Sequence, residues 1–361
     1  MSLRSRLEDA LSRAGGAIDS GSMRVLQRAM QRQGAVRRPP QDARLRLREL
    51  AQHYRTSEAA LFARPEPAEL SLEPVAPRAG AASVADASWP SRYRATYPGY
   101  QEDLARYAAN ATARARIYRG EGDGRAVVVC LHGWGAGRPW LDERAFLVPY
   151  LLRIGLDVAL LQLPFHGQRT PVQAPRSGSL FLTSHLVRTN EAFGQAIHDA
   201  RALTLALRAR GAPSVGVLGM SLGAYVGALW SGLDDDLAFA GALIPAVSLG
   251  ALWWSHGEGM PARRRAERSG VDEQALAEVF AVHAPLARPS RLARERHFIA
   301  ASRGDRITPP AQAEALWRHW GEPEMVWMAG GHLAQLTRGD AFRALRRWLY
   351  SLGVVRRAEP R

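Results

Sequence analysis

The feature that most constrains the fold is a regular alternation of short apolar segments with amphipathic ones, beginning at about residue 112. Apolar segments such as RAVVVCLHG, LDVALLQLP and SVGVLG have the length and the continuous hydrophobicity of strands that are buried on both faces. Helical patterns lie between them, and the longest, SHLVRTNEAFGQAIHDARALTLALRARG, ends at a glycine. This alternation predicts an α/β fold with a mostly parallel central sheet and helices on both of its faces.

Two regions depart from this alternation. Residues 1–90 are predicted to form an Arg-rich helical extension followed by a linker, because the stretch 65–90 is rich in Pro, Ala and Ser. Residues 91–361 are predicted to form the main domain, which an insertion of about residues 250–293 interrupts. Since this insertion follows a strand, on the side of the sheet where such folds bind ligands, we expect it to act as a lid or a substrate wall.

Composition argues against several classes of function. The one cysteine, Cys130, permits neither an intramolecular disulfide nor a cysteine-based metal cluster. The formal net charge is +14 and every basic residue is Arg, but the arginines are spread along the chain, so we do not expect nucleic-acid binding. No signal peptide or membrane-length apolar run is recognisable, and we expect a cytoplasmic protein. Weak peripheral contact of the Arg-rich N-terminal region with a membrane surface is compatible with this expectation.

The segment GMSLG, residues 219–223, stands between a predicted strand and a predicted helix. A G-x-S-x-G pattern is short enough to arise by chance, so its context decides what it means. A nucleophile elbow requires this strand–turn–helix context, because glycines on both sides of the serine permit a tight turn that lifts the hydroxyl above the sheet edge. The sequence therefore predicts that Ser221 is a nucleophile rather than a small residue of a glycine-rich loop.

A serine nucleophile needs a general base, and the base needs an orienting acid. Downstream of Ser221, Asp305 follows one predicted strand within SRGDRITPP, and His332 follows the next within GGH. Because loops after parallel strands meet at one edge of the sheet, these three residues are predicted to form a catalytic triad. The alternatives are that Asp305 caps the following helix and that His332 is a packed loop residue.

The reaction of an activated serine with a carbonyl group produces an oxyanion, which two backbone N–H groups usually stabilise. Leu222 is predicted to supply one of them, since it follows the nucleophile directly. Trp134, in the LHGWG loop after the first central strand, is predicted to supply the other. The alternative for this loop is a glycine-rich turn without a catalytic role. We expect His132 to brace the loop rather than to transfer protons.

In order and spacing, LHGWG, GMSLG, SRGDRITP and GGH resemble the motifs of the α/β-hydrolase superfamily over about residues 112–353. A further segment, LPFHGQRTP, resembles a branch of esterase-like α/β-hydrolase domain-containing proteins in which LP-x-HG-x-R recurs. The resemblance implies an α/β-hydrolase fold and assigns the triad and oxyanion roles to the residues named above. It also makes His166 and Arg169 candidates for the substrate pocket, with a hydrogen-bonded loop brace as an equal alternative.

This resemblance implies a serine hydrolase that cleaves a carboxylic ester through an acyl-enzyme, without a metal or cofactor. Amidases or peptidases, thioesterases and acyltransferases use the same triad, and a non-catalytic binding protein can share the fold. Trp253 and Trp254, in the insertion, are candidate pocket residues for an apolar acyl group, although packing between lid and core explains them equally well. The expected partner is a small-molecule or lipid ester, while the acyl length and the oligomeric state stay open.

Overall fold

The computed structural model describes residues 3–33 and 42–355. The strands in these residues are β1 (Ser71–Val75), β2 (Ser83–Pro90), β3 (Thr112–Arg119), β4 (Ala126–Leu131), β5 (Leu156–Gln162), β6 (Val215–Met220), β7 (Ala240–Leu243), β8 (His297–Ser302) and β9 (Glu324–Met328). They form one sheet in the order β1-β2-β3-β5-β4-β6-β7-β8-β9.

Helices connect and cover these strands. The α-helices of the described residues are α1 (Leu3–Gln33), α2 (Ala43–Thr56), α3 (Glu58–Leu61), α4 (Tyr100–Ala105), α5 (Pro139–Ala145), α6 (Val148–Arg153), α7 (Leu186–Ala209), α8 (Leu222–Ser231), α9 (Leu249–His256), α10 (Pro261–Arg268), α11 (Glu273–Phe280), α12 (Pro310–His319) and α13 (Arg338–Ser351). Short 3-10 turns occur at Ala108–Ala111, Gly167–Arg169, Pro285–Ala287 and Arg294–Arg296. None of the helices in the described ranges combines the length and hydrophobicity needed to cross a lipid bilayer.

The sheet is mostly parallel, which confirms the expectation from the sequence. Strands β5, β4, β6, β7, β8 and β9 pair in parallel with their neighbours, whereas β1, β2 and β3 join the edge at β5 in antiparallel pairs. Alternate residues of β4 enter two separate cores. Val129 packs into the core that contains α7 and α8, while Val128 and Cys130 pack with α6 and α13 on the opposite face. Helices on both faces thus explain why the central strands are continuously apolar.

The stretch 65–90 is not the irregular linker that its composition predicted, because it contains β1 and β2. In β2, Val84, Ala87 and Trp89 are buried. The small and polar residues between them hide the apolar–polar alternation that would mark a strand in the sequence. The pairing of β2 with β3 includes a bidentate ion pair in which Arg116 donates to both carboxylate oxygens of Asp86, each at 2.7 Å. Long-range strand pairing therefore overrides the local turn-forming composition.

The N-terminal helices α2 and α3 belong to the main hydrophobic core. Tyr54 and Leu61 are almost fully buried in that core. The Tyr54 hydroxyl donates a 3.0 Å hydrogen bond to Glu191 on α7, and the Tyr93 hydroxyl donates to the same carboxylate at 2.6 Å. The Glu191 carboxylate thus accepts hydrogen bonds from two phenols and from nearby amides. These bonds hold the N-terminal region against α7, which covers the sheet.

The insertion after β7 contains helices α9, α10 and α11 and packs against the N-terminal extension. Asp272 caps α11 by accepting the Ala275 amide at 2.8 Å, and it also forms a 2.8 Å ion pair with Arg44 on α2. Ala43, Val271 and Ala275 form a small apolar cluster beneath this pair. The two regions that depart from the strand–helix alternation therefore support each other.

Candidate active site

Ser221 occupies a strained turn between β6 and α8. Its backbone dihedral angles are φ 54° and ψ −112°, a conformation that non-glycine residues rarely adopt. The flanking glycines make this turn possible. A Cβ on Gly219 would lie 2.2 Å from the carbonyl oxygen of Gly223, and a Cβ on Gly223 would lie 1.8 Å from the carbonyl oxygen of Leu131. The turn leaves the Ser221 side chain partly exposed at the carboxyl end of the sheet.

The three residues singled out as a triad lie in one hydrogen-bonded chain. His332 Nε2 is 3.0 Å from Ser221 Oγ, and His332 Nδ1 is 2.7 Å from Asp305 Oδ2. Asp305 and His332 are buried in the loops that follow β8 and β9. Since an ionised carboxylate can only accept, Nδ1 carries the proton and Nε2 is free to accept one from the serine hydroxyl. The geometry is that of a nucleophile, a base and an orienting acid.

The Asp305 carboxylate is held by its own loop. Oδ1 accepts the backbone amides of Ile307 at 2.9 Å and Thr308 at 2.7 Å, and the Thr308 hydroxyl lies 3.0 Å from Oδ2. The same hydroxyl lies 3.0 Å from His332 Nδ1 and 3.2 Å from the carbonyl oxygen of Ile244. Sequence reasoning missed Thr308. The D-x-x-T spacing in GDRIT is the signal that could have found it, because an Asp accepting amides two and three residues ahead forms a turn that a Thr hydroxyl can close.

The loop after β4 lies directly beside the nucleophile. A Cβ on Gly133 would be 3.5 Å from Ser221 Cβ, so the backbone of Gly133 lies next to the serine side chain. His132 braces this loop as expected: its Nδ1 donates to the Gly133 carbonyl at 2.9 Å, and its Nε2 accepts the Leu163 amide at 3.1 Å. The Trp134 indole donates to the carbonyl of Gly178 at 2.8 Å, a contact that joins this loop to the segment after β5.

Leu222 is the first residue of α8, and N–H groups in the first turn of a helix have no partner within the helix. The positive end of the helix dipole therefore points toward the Ser221 hydroxyl. The loop after β4 also lies beside Ser221, through the backbone of Gly133. Of the two candidate oxyanion residues, Leu222 directly follows Ser221 at the start of α8, and Trp134 follows Gly133, the residue whose backbone lies beside the serine.

His166 and Arg169 belong to the loop after β5 and are fully buried, so neither side chain has solvent-accessible surface. His166 Nδ1 donates to the carbonyl of Pro164 at 2.8 Å, and burial holds the pKa of this imidazole well below its usual range, so the ring is neutral. Arg169 donates to the carbonyl of Gln162 at 3.0 Å and pairs with Asp199 on α7 at 2.8 Å. These contacts are those of the loop brace that the sequence left as the alternative.

Trp253 and Trp254 are half-buried on α9. The Trp253 ring packs edge-to-face on Phe280 of α11 at 5.2 Å, and Arg263 stacks over Trp254 at 4.5 Å. The end of α9 contacts the acid-bearing loop through His256 Nε2, which is 2.8 Å from the carbonyl oxygen of Ile307. Helix α9 thus lies next to the triad, although each tryptophan has a packing partner within the insertion.

The chain has sequence relatives among known proteins. No protein-family profile matches the chain. The uncharacterized proteins MT2702 and Rv2627c of Mycobacterium tuberculosis are each 32% identical to it over 238 residues, which make up 65% of this chain. The match spans 56% of the length of these curated relatives.

Solved structures with a similar fold include several esterases. An acetyl xylan esterase from Paenibacillus sp. R4 superposes with a TM-score of 0.59 at 16% identity, over 83% of this chain and 94% of its own. Acetyl xylan esterase 1 from Thermoanaerobacterium sp. JW/SL YS485 gives a TM-score of 0.52 at 12% identity, over 85% and 93% of the two chains. These likenesses confirm that the chain has the α/β-hydrolase fold that its motifs predicted.

Proposed function

We propose that this protein is a serine hydrolase that cleaves a carboxylic ester through an acyl-enzyme. The observation that carries the proposal is the continuous chain from Ser221 Oγ through His332 to Asp305, at 3.0 Å and 2.7 Å, above a strained elbow. Backbone strain at a nucleophile persists only where surrounding structure maintains it, and such strain clusters at active sites. A binding protein on the same fold has no need for all of these features together.

The first half of the proposed cycle acylates the serine. His332 Nε2 accepts the hydroxyl proton as Ser221 Oγ forms a bond to the carbonyl carbon of the ester. The backbone N–H groups of Trp134 and Leu222 hold the oxyanion of the tetrahedral intermediate. The intermediate collapses as the bond to the alkoxide breaks, and His332 gives its proton to the leaving oxygen.

The second half releases the acyl group. Water enters, His332 Nε2 takes its proton, and the resulting hydroxide attacks the acyl carbon. His332 then returns the proton to Ser221 Oγ as the carboxylic acid leaves. In both halves the Asp305 carboxylate stabilises the imidazolium through its 2.7 Å hydrogen bond to Nδ1. The residues named here account for each proton that moves.

The similar structures support an ester as the substrate, because their descriptions name esterases, two of them acetyl xylan esterases. An apolar acyl group is favoured by the half-buried Trp253 and Trp254 on the helix next to the triad. Amidase or peptidase, thioesterase and acyltransferase activities use the same arrangement and are the alternatives to be tested on matched substrates.

The test is covalent labelling with a fluorophosphonate probe, compared across three proteins. The wild type is expected to react at Ser221, and Ser221→Ala is expected to lose the label together with hydrolysis of nitrophenyl esters, by on the order of 10⁴-fold or more. Ser248→Ala is the matched control, since Ser248 is half-buried at the same end of the sheet, beside α9. Labelling that persists in Ser221→Ala would remove the serine from its proposed role.

Contact of α1 with an anionic lipid surface is proposed as a companion to catalysis. Leu7 and Ile18, which are 58% and 51% exposed, lie on one side of the helix because eleven residues make about three turns. Arg13 and Arg24 are exposed on the same helix, and such a combination favours anionic headgroups. Co-sedimentation with phosphatidylglycerol vesicles should fall when Leu7 and Ile18 are both replaced by Glu. Equal binding by both proteins would exclude this surface.

A further inference from the structure

Helix α1 lies directly on the two loops that carry Asp305 and His332. A Cβ on Gly15 would be 2.1 Å from the backbone nitrogen of Gly331, and a Cβ on Gly304 would be 2.0 Å from the carbonyl oxygen of Ser12. Helix backbone and loop backbone therefore touch without side chains between them. So close an approach requires glycine on both sides, and it brings the side chains of the next helical turn to the catalytic loops.

The next turn places Asp19 at the junction of these loops. Its Oδ2 accepts the backbone amide of His332 at 2.6 Å and that of Arg306 at 3.1 Å, while its Oδ1 accepts the amide of Leu333 at 3.1 Å. The side chain is 0% exposed to solvent. A buried carboxylate that accepts three amides is a strong, directional contact, because hydrogen bonds to an ionised group are about twice as strong as neutral ones.

We infer that Asp19 is a positioning residue for the triad, an inference that rests on the proposed function. The carboxylate joins the amide of His332 itself to the amide of Arg306, the residue after Asp305. It thereby ties together two loops that leave different strands of the sheet. The imidazole must keep Nδ1 at 2.7 Å from Asp305 and Nε2 at 3.0 Å from Ser221, so a shift of either loop breaks one of the two contacts.

The same reasoning makes α1 part of the active site rather than a surface appendage. Without Asp19, the amides of His332, Leu333 and Arg306 would lose a shared acceptor in a buried place, where an unpaired polar group is costly. The loops would then rearrange to find other partners. A misplacement of about 1 Å in a catalytic group can lower a rate by about 10²-fold, so a contact that touches no substrate can still govern turnover.

The experiment compares Asp19→Asn with Asp9→Asn in the full chain. Asparagine keeps the shape of aspartate but replaces one acceptor oxygen with a donor that faces an amide N–H. For Asp19→Asn, we expect kcat on a nitrophenyl ester to fall about 10- to 100-fold with KM within about twofold. Asp9, a half-buried acid one turn before Arg13 on the same helix, is the matched control, and its variant should behave as the wild type.

A second readout reports the geometry of the triad without relying on turnover. The proton on His332 Nδ1 lies between imidazole and carboxylate in a 2.7 Å contact, and we expect it to give a strongly downfield ¹H NMR signal. That signal should shift upfield or broaden in Asp19→Asn and stay in place in Asp9→Asn. Because the signal does not require a nucleophilic serine, it tests the role of Asp19 even if Ser221 proves not to form an acyl-enzyme.

Gly15→Ala provides an independent route to the same result, because its methyl group would meet backbone at 2.1 Å and push α1 off the His332 loop with Asp19 intact. It should reproduce the loss of kcat and the change in the downfield signal, and it decides the question if Asp19→Asn does not fold. Wild-type kcat and an unchanged signal in either folded variant would overturn the inference.

Discussion

Replacing Thr308 with Val tests the support of the catalytic acid most sharply. The substitution keeps nearly the same shape and removes a buried hydroxyl that lies 3.0 Å from Asp305 Oδ2 and 3.0 Å from His332 Nδ1. A hydrogen bond to a charged group contributes about 1.5–3 kcal/mol. If that whole amount supports the transition state, kcat falls about 10- to 150-fold, since about 1.4 kcal/mol corresponds to a factor of ten.

The assay is steady-state hydrolysis of a nitrophenyl ester by Thr308→Val and Thr308→Ser. Serine keeps the hydroxyl and loses only a methyl group, so Thr308→Ser should retain kcat within about threefold of the wild type. KM should change little in both variants, because the hydroxyl contacts the acid and the base rather than the substrate. A Thr308→Val enzyme with wild-type kcat, or a Thr308→Ser enzyme that is equally impaired, would refute the role of the hydroxyl.

Three further predictions concern stability. Gly223→Ala should lower the urea midpoint or abolish folding, because its Cβ would lie 1.8 Å from the carbonyl oxygen of Leu131 in β4. Gly227→Ala on the same helix should be tolerated, because the nearest atom to its Cβ would be 3.4 Å away. Burial lowers the pKa of His283 to about 3, so on acidification the unfolded state takes up the proton before the folded state does. The free energy of unfolding should therefore fall by up to about 1.4 kcal/mol per pH unit as the pH drops below 6.5. In urea titrations, His283→Gln should flatten that slope. Arg169→Met removes the arginine that pairs with buried Asp199 and should cost about 3–5 kcal/mol in the same assay, while a cost near zero would contradict the pairing.

The central part of the fold was predictable from the sequence because the patterns that specify it are local. Strands buried on both faces have continuous apolar segments, and the loops that follow parallel strands meet at one edge whatever their length. Ser221, Asp305 and His332 each come directly after such a strand, so strand order alone was enough to predict that they converge. Their observed contacts at 3.0 Å and 2.7 Å depend on details of the loops that no sequence pattern specifies.

The parts that sequence reasoning missed depend on distant partners. Strands β1 and β2 form through pairing that reaches β3, against a composition that favours turns. Asp19 and His332 are 313 positions apart, and no sequence pattern near Asp19 indicates which amide groups donate to its carboxylate. One local signal was available: Gly15 and Gly16 are adjacent within a helical segment, where each glycine costs about 1 kcal/mol relative to alanine. Such a pair indicates close backbone approach.

The most direct test of the central claim is to trap the acyl-enzyme. The protein is mixed with a nitrophenyl ester, quenched in acid within the first turnover, digested and examined by mass spectrometry. The account predicts one acyl group on the peptide that carries Ser221, formed in proportion to a burst of nitrophenol and absent from Ser221→Ala. Hydrolysis by the wild type without any acylated Ser221 peptide, or an acyl adduct that survives in Ser221→Ala, would contradict it.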